Sequence, residues 1–115
     1  MISALRFGNL ALKFALELAA IAALAYWGAS LNGSLLSAVM MVLAPLAMIV
    51  VWGRWAAPKA SRRLPVSARI PLELTILLGA ALALLAAGED AVAAVFAAAV
   101  LLNAALLTAL GQWAA

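Results

Sequence analysis

Two short segments of this sequence carry its chemistry. Leu12 to Leu18 reads LKFALEL and Ala68 to Leu74 reads ARIPLEL, so a basic residue is followed four positions later by a glutamate in both, Lys13 with Glu17 and Arg69 with Glu73. Residues at i and i+4 share one helix face, so each pair can close on itself. Basic before acidic is the less favourable order within one helix, which leaves cross-pairing between the two segments equally open. A carboxylate in an apolar setting can hold a helix in register, carry a proton or cation, or act as an acid or base.

Other chemistry is narrowed by composition. The 115 residues contain no Cys and no His. Thiol nucleophiles, disulfides, Cys/His zinc sites and imidazole bases are therefore excluded. No haem, nucleotide or metal motif is present, so no cofactor and no enzymatic activity are expected.

The elements that position the two pairs follow from hydropathy. Hydrophobic residues make up 70% of the chain and charged residues 10%, with a mean hydropathy of +1.24. Soluble domains run at about 45–50% apolar and about 25% charged. A bilayer-crossing helix needs about 20 apolar residues, and four such runs occur, from about Leu10 to Trp27, Leu35 to Ala56, Ala68 to Ala87 and Ala91 to Leu110. The expected fold is all-α, a four-helix bundle integral to a membrane. Because the charged pairs recur at an offset of 56 residues, they open the first and third spans, as if one helical hairpin were repeated in parallel. Glu17 inside the first span argues against a cleaved signal peptide.

Punctuation between the runs is polar. Asn32, Gly33 and Ser34 suit a turn, with Ser34 as N-cap of the second helix; Ser67 and Asp90 suit the same role for the third and fourth. Pro71 is expected in the first turn of the third helix, where no hydrogen bond is lost. Pro45 interrupts the second helix and frees the carbonyl of Met41. Alanine supplies 32 residues, and Gly79, Ala83 and Ala87 form a small-xxx-small series of the kind that lets membrane helices approach.

All seven Lys and Arg fall on one side of this layout. Arg6 and Lys13 lie at the start of the first span, and Arg54, Lys59, Arg62, Arg63 and Arg69 surround the loop at about 57–67. The positive-inside rule then makes both termini and that loop cytoplasmic. Tyr26 and Trp27 fall at the opposite interface, and Trp52, Trp55 and Trp113 at the basic one. Arg54, Lys59, Arg62 and Arg63 suit anionic lipid headgroups, at about 1 kcal/mol each. The net charge of +3 is thereby explained by topology, and no nucleic-acid partner is expected.

A charge at a span's centre costs about 2.5–3.5 kcal/mol on insertion scales. Lys13 and Arg69 can snorkel to the headgroups; the shorter glutamates cannot, and must be paired, protonated or hydrated. Asn103 falls at a similar depth and is expected to complete a polar layer with Lys13, Glu17, Arg69 and Glu73. The reading favoured for this layer is structural. A proton- or cation-coupled solute transporter using Glu17 or Glu73, and an accessory subunit of a larger complex, are the alternatives. The alanine-rich spans also suggest a homo-oligomer.

The stretches LKFALELAAIAALAYWG (Leu12 to Gly28), WGRWAAPKASRRLP (Trp52 to Pro65) and ARIPLELTILLGAALALLAAG (Ala68 to Gly88) resemble the YrdB-like family of small bacterial membrane proteins. The resemblance implies a four-span inner-membrane protein of unassigned function. It carries over no catalytic or binding residue.

Overall fold

The computed structural model describes residues 2–57, 60 and 62–113. Four α-helices follow one another: α1 (Ile2–Ala29), α2 (Ser34–Val51), α3 (Val66–Ala86) and α4 (Asp90–Ala109). A π-helical turn, Trp52–Ala56, extends α2. No strand occurs among the described residues. All four helices, the second taken as Ser34–Ala56, are long and apolar enough to cross a membrane. Helices suit that solvent because they satisfy their own backbone polar groups.

α1 is the centre of the assembly. It packs against α2, α3 and α4, while α3 packs against both α1 and α4. Leu16, Ala20 and Ala23 of α1 meet Leu77, Ala80, Ala81 and Leu84 of α3 and Ala93, Phe96 and Val100 of α4 in one buried core, which Met48 of α2 joins. The alternation of alanine with leucine and phenylalanine lets these helices lie close while larger side chains fill the gaps. α2 is the outlier. Leu35, Leu36, Val42, Leu46 and Val50 on it are all exposed, and its main packing partner is α1.

Helix boundaries depart from the sequence reading in an instructive way. α1 begins at Ile2, about two turns before Leu10, because Asn9 is buried and hydrogen-bonded rather than left in a polar leader. At about 1.5 Å per residue, its 28 residues exceed the roughly 30 Å hydrocarbon thickness of a bilayer. The expected caps are displaced by a residue or two. Gly33, Pro65 and Glu89 occupy the cap positions, and Ser34, Ser67 and Asp90 lie inside the helices without a side-chain capping bond. Once Ser34 has entered the helix, its hydroxyl no longer faces the orphan N–H groups. Asp90 still places its charge in the first turn of α4, where the helix dipole favours it. Pro71 lies beyond the first turn of α3, so the Ser67 carbonyl loses its helical donor.

Close approach occurs at a different glycine from the one expected. A Cβ on Gly79 would meet nothing within 4 Å, whereas one on Gly28 would sit 2.6 Å from the Met40 carbonyl oxygen. Gly28 thus lets the end of α1 rest on the backbone of α2. Gly111, at φ +65°, ends α4 in the left-handed conformation. The N–H of Gln112 then bonds the Leu107 carbonyl at 2.8 Å, a helix-terminating pattern that turns the chain back toward the bundle.

Candidate functional site

The four charged residues converge. Lys13 Nζ lies 2.7 Å from Glu73 Oε1 and 3.8 Å from Glu17 Oε1, and Arg69 Nε lies 3.3 Å from Glu73 Oε2. Lys13 therefore makes its short contact across helices, while Arg69 pairs within its own. The i to i+4 spacing and the parallel course of α1 and α3 together bring both basic residues onto Glu73.

The arrangement is unequal. Glu73 receives two cations, and its side chain is 3% exposed. Glu17 has only the longer contact to a lysine already committed elsewhere, and its side chain is 11% exposed. The Trp52 side chain, carried by the π-helical turn, adds a hydrogen bond to Glu17. Charge in an apolar surrounding is stabilised only where pairing geometry and further hydrogen bonds offset the cost of desolvation. Glu73 meets the pairing condition more fully than Glu17.

Arg69 is held on its far side by backbone. Its Nη1 donates to the Leu64 carbonyl at 3.1 Å, and its Nη2 donates to the carbonyl of Trp113. The Trp113 ring centroid lies 6.0 Å from Lys13 Nζ, and its indole N–H donates to Thr108 Oγ1 at 3.0 Å. Trp113 is buried although it lies near the end of the chain. The turn at Gly111 thus places one residue against both cations of the cluster.

Asn103 does not join the carboxylates. Its amide donates to the Asn9 side-chain oxygen at 2.8 Å and to the Asn9 carbonyl at 3.0 Å. Asn9 Nδ2 donates to Gln112 Oε1 at 2.9 Å, and Gln112 Nε2 donates to the Arg6 carbonyl at 3.0 Å. Arg6 in turn donates to the Leu110 carbonyl at 2.8 Å. These bonds form an amide cluster tying α1 to α4 and to the terminal turn, beside the ionic one. Asn9 and Gln112 were missed in the sequence because each lies outside the apolar runs. The signal that could have found them is the buried Asn103, which needs partners of matching chemistry at the same depth.

Arg54, Arg62 and Arg63 lie around the break between α2 and α3, and Lys59 lies outside the described residues. Arg54 stacks 5.3 Å from the Trp55 ring centroid. The chain folds back there, with the Arg62 N–H on the Arg54 carbonyl at 3.2 Å and the Leu64 N–H on the Trp55 carbonyl at 2.9 Å. At the other end of the bundle, the Tyr26 hydroxyl donates to Glu89 Oε1 at 2.7 Å and joins α1 to the α3–α4 turn.

The described residues hold no cluster of three or more potential metal-ligating side chains. Fold and site together define a small multi-pass helical membrane protein with a buried ion cluster between parallel helices. The model of the family described as "Protein of unknown function (DUF2568)" matches residues 11–102. The chain belongs to that family. The matched segment contains Lys13, Glu17, Arg69 and Glu73, and stops short of Asn9, Asn103 and Gln112. No curated protein and no solved structure matches the chain.

Proposed function

We propose that this chain works as a non-enzymatic membrane-embedded protein in which Lys13, Glu73 and Arg69 form a structural lock between α1 and α3. The single observation that carries this reading is Glu73 held by two cations, at 2.7 Å and 3.3 Å, with almost no exposure. A carboxylate engaged in this way is poorly suited to exchange a proton or bind a solute. It is well suited to fix two helices in register, a role polar groups serve within membranes.

The charge asymmetry supports a topology with both termini and the 57–67 loop in the cytoplasm. The resemblance to YrdB-like proteins supports a bacterial inner membrane. Arg54, Lys59, Arg62 and Arg63 would then meet anionic headgroups, and the exposed apolar faces would meet lipid or a second copy. Replacing Glu73 with Gln tests the lock. The expected result is a large loss of thermal stability in lipid discs and no solute current in proteoliposomes under a proton gradient. A stable variant, or a proton-driven current that disappears with Glu73, would overturn the reading.

A second reading makes Glu17 the carrier residue of a cation-coupled transporter. It is favoured by the single long ion contact of Glu17. A current lost in Glu17→Gln with folding intact would establish it, and silence across a panel of cations and amines would remove it.

A further inference from the structure

Beyond α4 the chain does not leave the bundle. Residues 110–113 turn back at Gly111, whose φ of +65° belongs to the left-handed region, and bring Gln112 and Trp113 into buried positions. We propose that this segment is a strap that closes one end of the bundle over Lys13, Glu73 and Arg69, and that its release admits water to the ion cluster.

The strap touches both cations of the cluster. The Trp113 carbonyl accepts from Arg69 Nη2, and the Trp113 ring centroid lies 6.0 Å from Lys13 Nζ. Arg69 Nη1 donates to the Leu64 carbonyl at 3.1 Å, so the guanidinium is capped by one carbonyl from the α2–α3 connection and one from the strap. Gln112 fastens the strap to α1, accepting from Asn9 at 2.9 Å and donating to the Arg6 carbonyl at 3.0 Å. Arg6 adds a bond to the Leu110 carbonyl at 2.8 Å. Segments that follow a last helix usually fray unless something ties them down; here the ties run to the cluster itself and to the helix that carries Lys13.

Exclusion of water gives the closure its consequence. The attraction between Lys13 and Glu73, 2.7 Å apart, is strong in a low dielectric and weak in water. Arg69 lies in the first turn of α3, at the helix end where water is nearest, so the cluster needs a cover on that side. Neither Gln112 nor Trp113 belongs to the buried apolar core that the helices share, and the strap can therefore lift while that core stays packed. Local opening of this kind is drawn from the least stable part of a fold. The inference rests on the lock reading and deepens it: the strength of the lock is set by whether the strap is closed.

The test is the rate of thiol labelling by sulfonatoethyl methanethiosulfonate, a charged reagent that reacts where water reaches, with the full chain in phosphatidylcholine discs. Because the chain contains no Cys, one introduced thiol reports alone. Leu16→Cys places it one turn from Lys13, and Ala20→Cys one turn deeper on the same buried face. Each is combined with Gln112→Ala, which removes the ties to α1, or with Gly111→Val, which opposes the left-handed turn and touches no member of the cluster. The expected result is labelling at Leu16→Cys accelerated about tenfold or more by either strap variant, the scale of losing two buried hydrogen bonds, with Ala20→Cys unchanged. An unchanged rate at Leu16→Cys would overturn the proposal, and so would equal acceleration at both thiols, which marks a loosened bundle. If Gln112→Ala fails to fold, Gly111→Val decides by the same criterion. Strap and lock fail separately: a stable Glu73→Gln variant removes the lock, whereas unchanged labelling removes the strap and leaves the lock standing.

Discussion

Glu17 and Glu73 stand in the same motif on two helices that run the same way, yet their surroundings differ. Glu73 lies between two cations on the inner side of α3, and Arg69 beside it is anchored by the Leu64 and Trp113 carbonyls. Glu17 lies toward α2, with a more distant lysine, a hydrogen bond from the Trp52 side chain and the apolar wall of a cavity around it. The second helix of each hairpin accounts for much of the contrast. In α4, 28% of the most apolar stretch is buried, against 6% in α2, so the α3–α4 half is built into the core and α2 flanks it. A repeated sequence motif therefore gives two different sites once its copies meet different neighbours.

The largest expected effect breaks that contrast from the Glu73 side. Glu73→Gln leaves Lys13 and Arg69 facing each other in an apolar interior without their shared anion, and losing one partner of a buried pair costs about 3–5 kcal/mol. Denaturant titration in mixed micelles should show this as a sharp fall in the midpoint. An unchanged midpoint would mean that the two cations find other partners.

Next comes the seam that attaches α2. Gly28→Val places side-chain atoms where even a Cβ would sit 2.6 Å from the Met40 carbonyl oxygen. Overpacking of this kind costs up to about 3 kcal/mol, and it should separate α2 from α1 while sparing the α1–α3–α4 core. Cysteine pairs placed across each seam would report it, with cross-linking lost only between α1 and α2. The amide cluster is expected to contribute less. Asn103→Leu deprives Asn9 of its two contacts at 2.8 Å and 3.0 Å, at about 2 kcal/mol, and thermal melting should register the change.

Glu17→Gln is expected to cost about 1 kcal/mol or less, the scale of a single polar contact between membrane helices. Tyr26→Phe removes an exposed bond to Glu89 and should leave the melting temperature unchanged. A large effect there would shift the weight of the fold toward the opposite end of the bundle.

Much of the architecture was legible in the sequence. The four apolar runs mark the four helices because hydropathy over about 20 residues depends on length and composition, which a sequence states directly. The convergence of Lys13, Arg69 and Glu73 was legible as a set, since matched depth on parallel spans leaves buried charges few other partners. Which pairs would form was not, because i to i+4 spacing permits pairing within or across helices, and packing decides between them. Helix ends were the weakest part. Asn9 reads as a polar leader until Gln112 and Asn103 are seen beside it, and those partners lie 103 and 94 residues away. Glycine roles were equally hidden: Gly79 stands in a small-residue series and Gly28 at a polar boundary, yet the close helix contact is at Gly28.

The most direct test of the account is a paired comparison of Glu17→Gln and Glu73→Gln, each titrated to unfolding in the same lipid mixture alongside wild type. The account predicts that Glu73→Gln lowers the midpoint severalfold more than Glu17→Gln, by about 3–5 against about 1 kcal/mol. Equal losses, or a larger loss at Glu17, would contradict the assignment of the lock to Glu73.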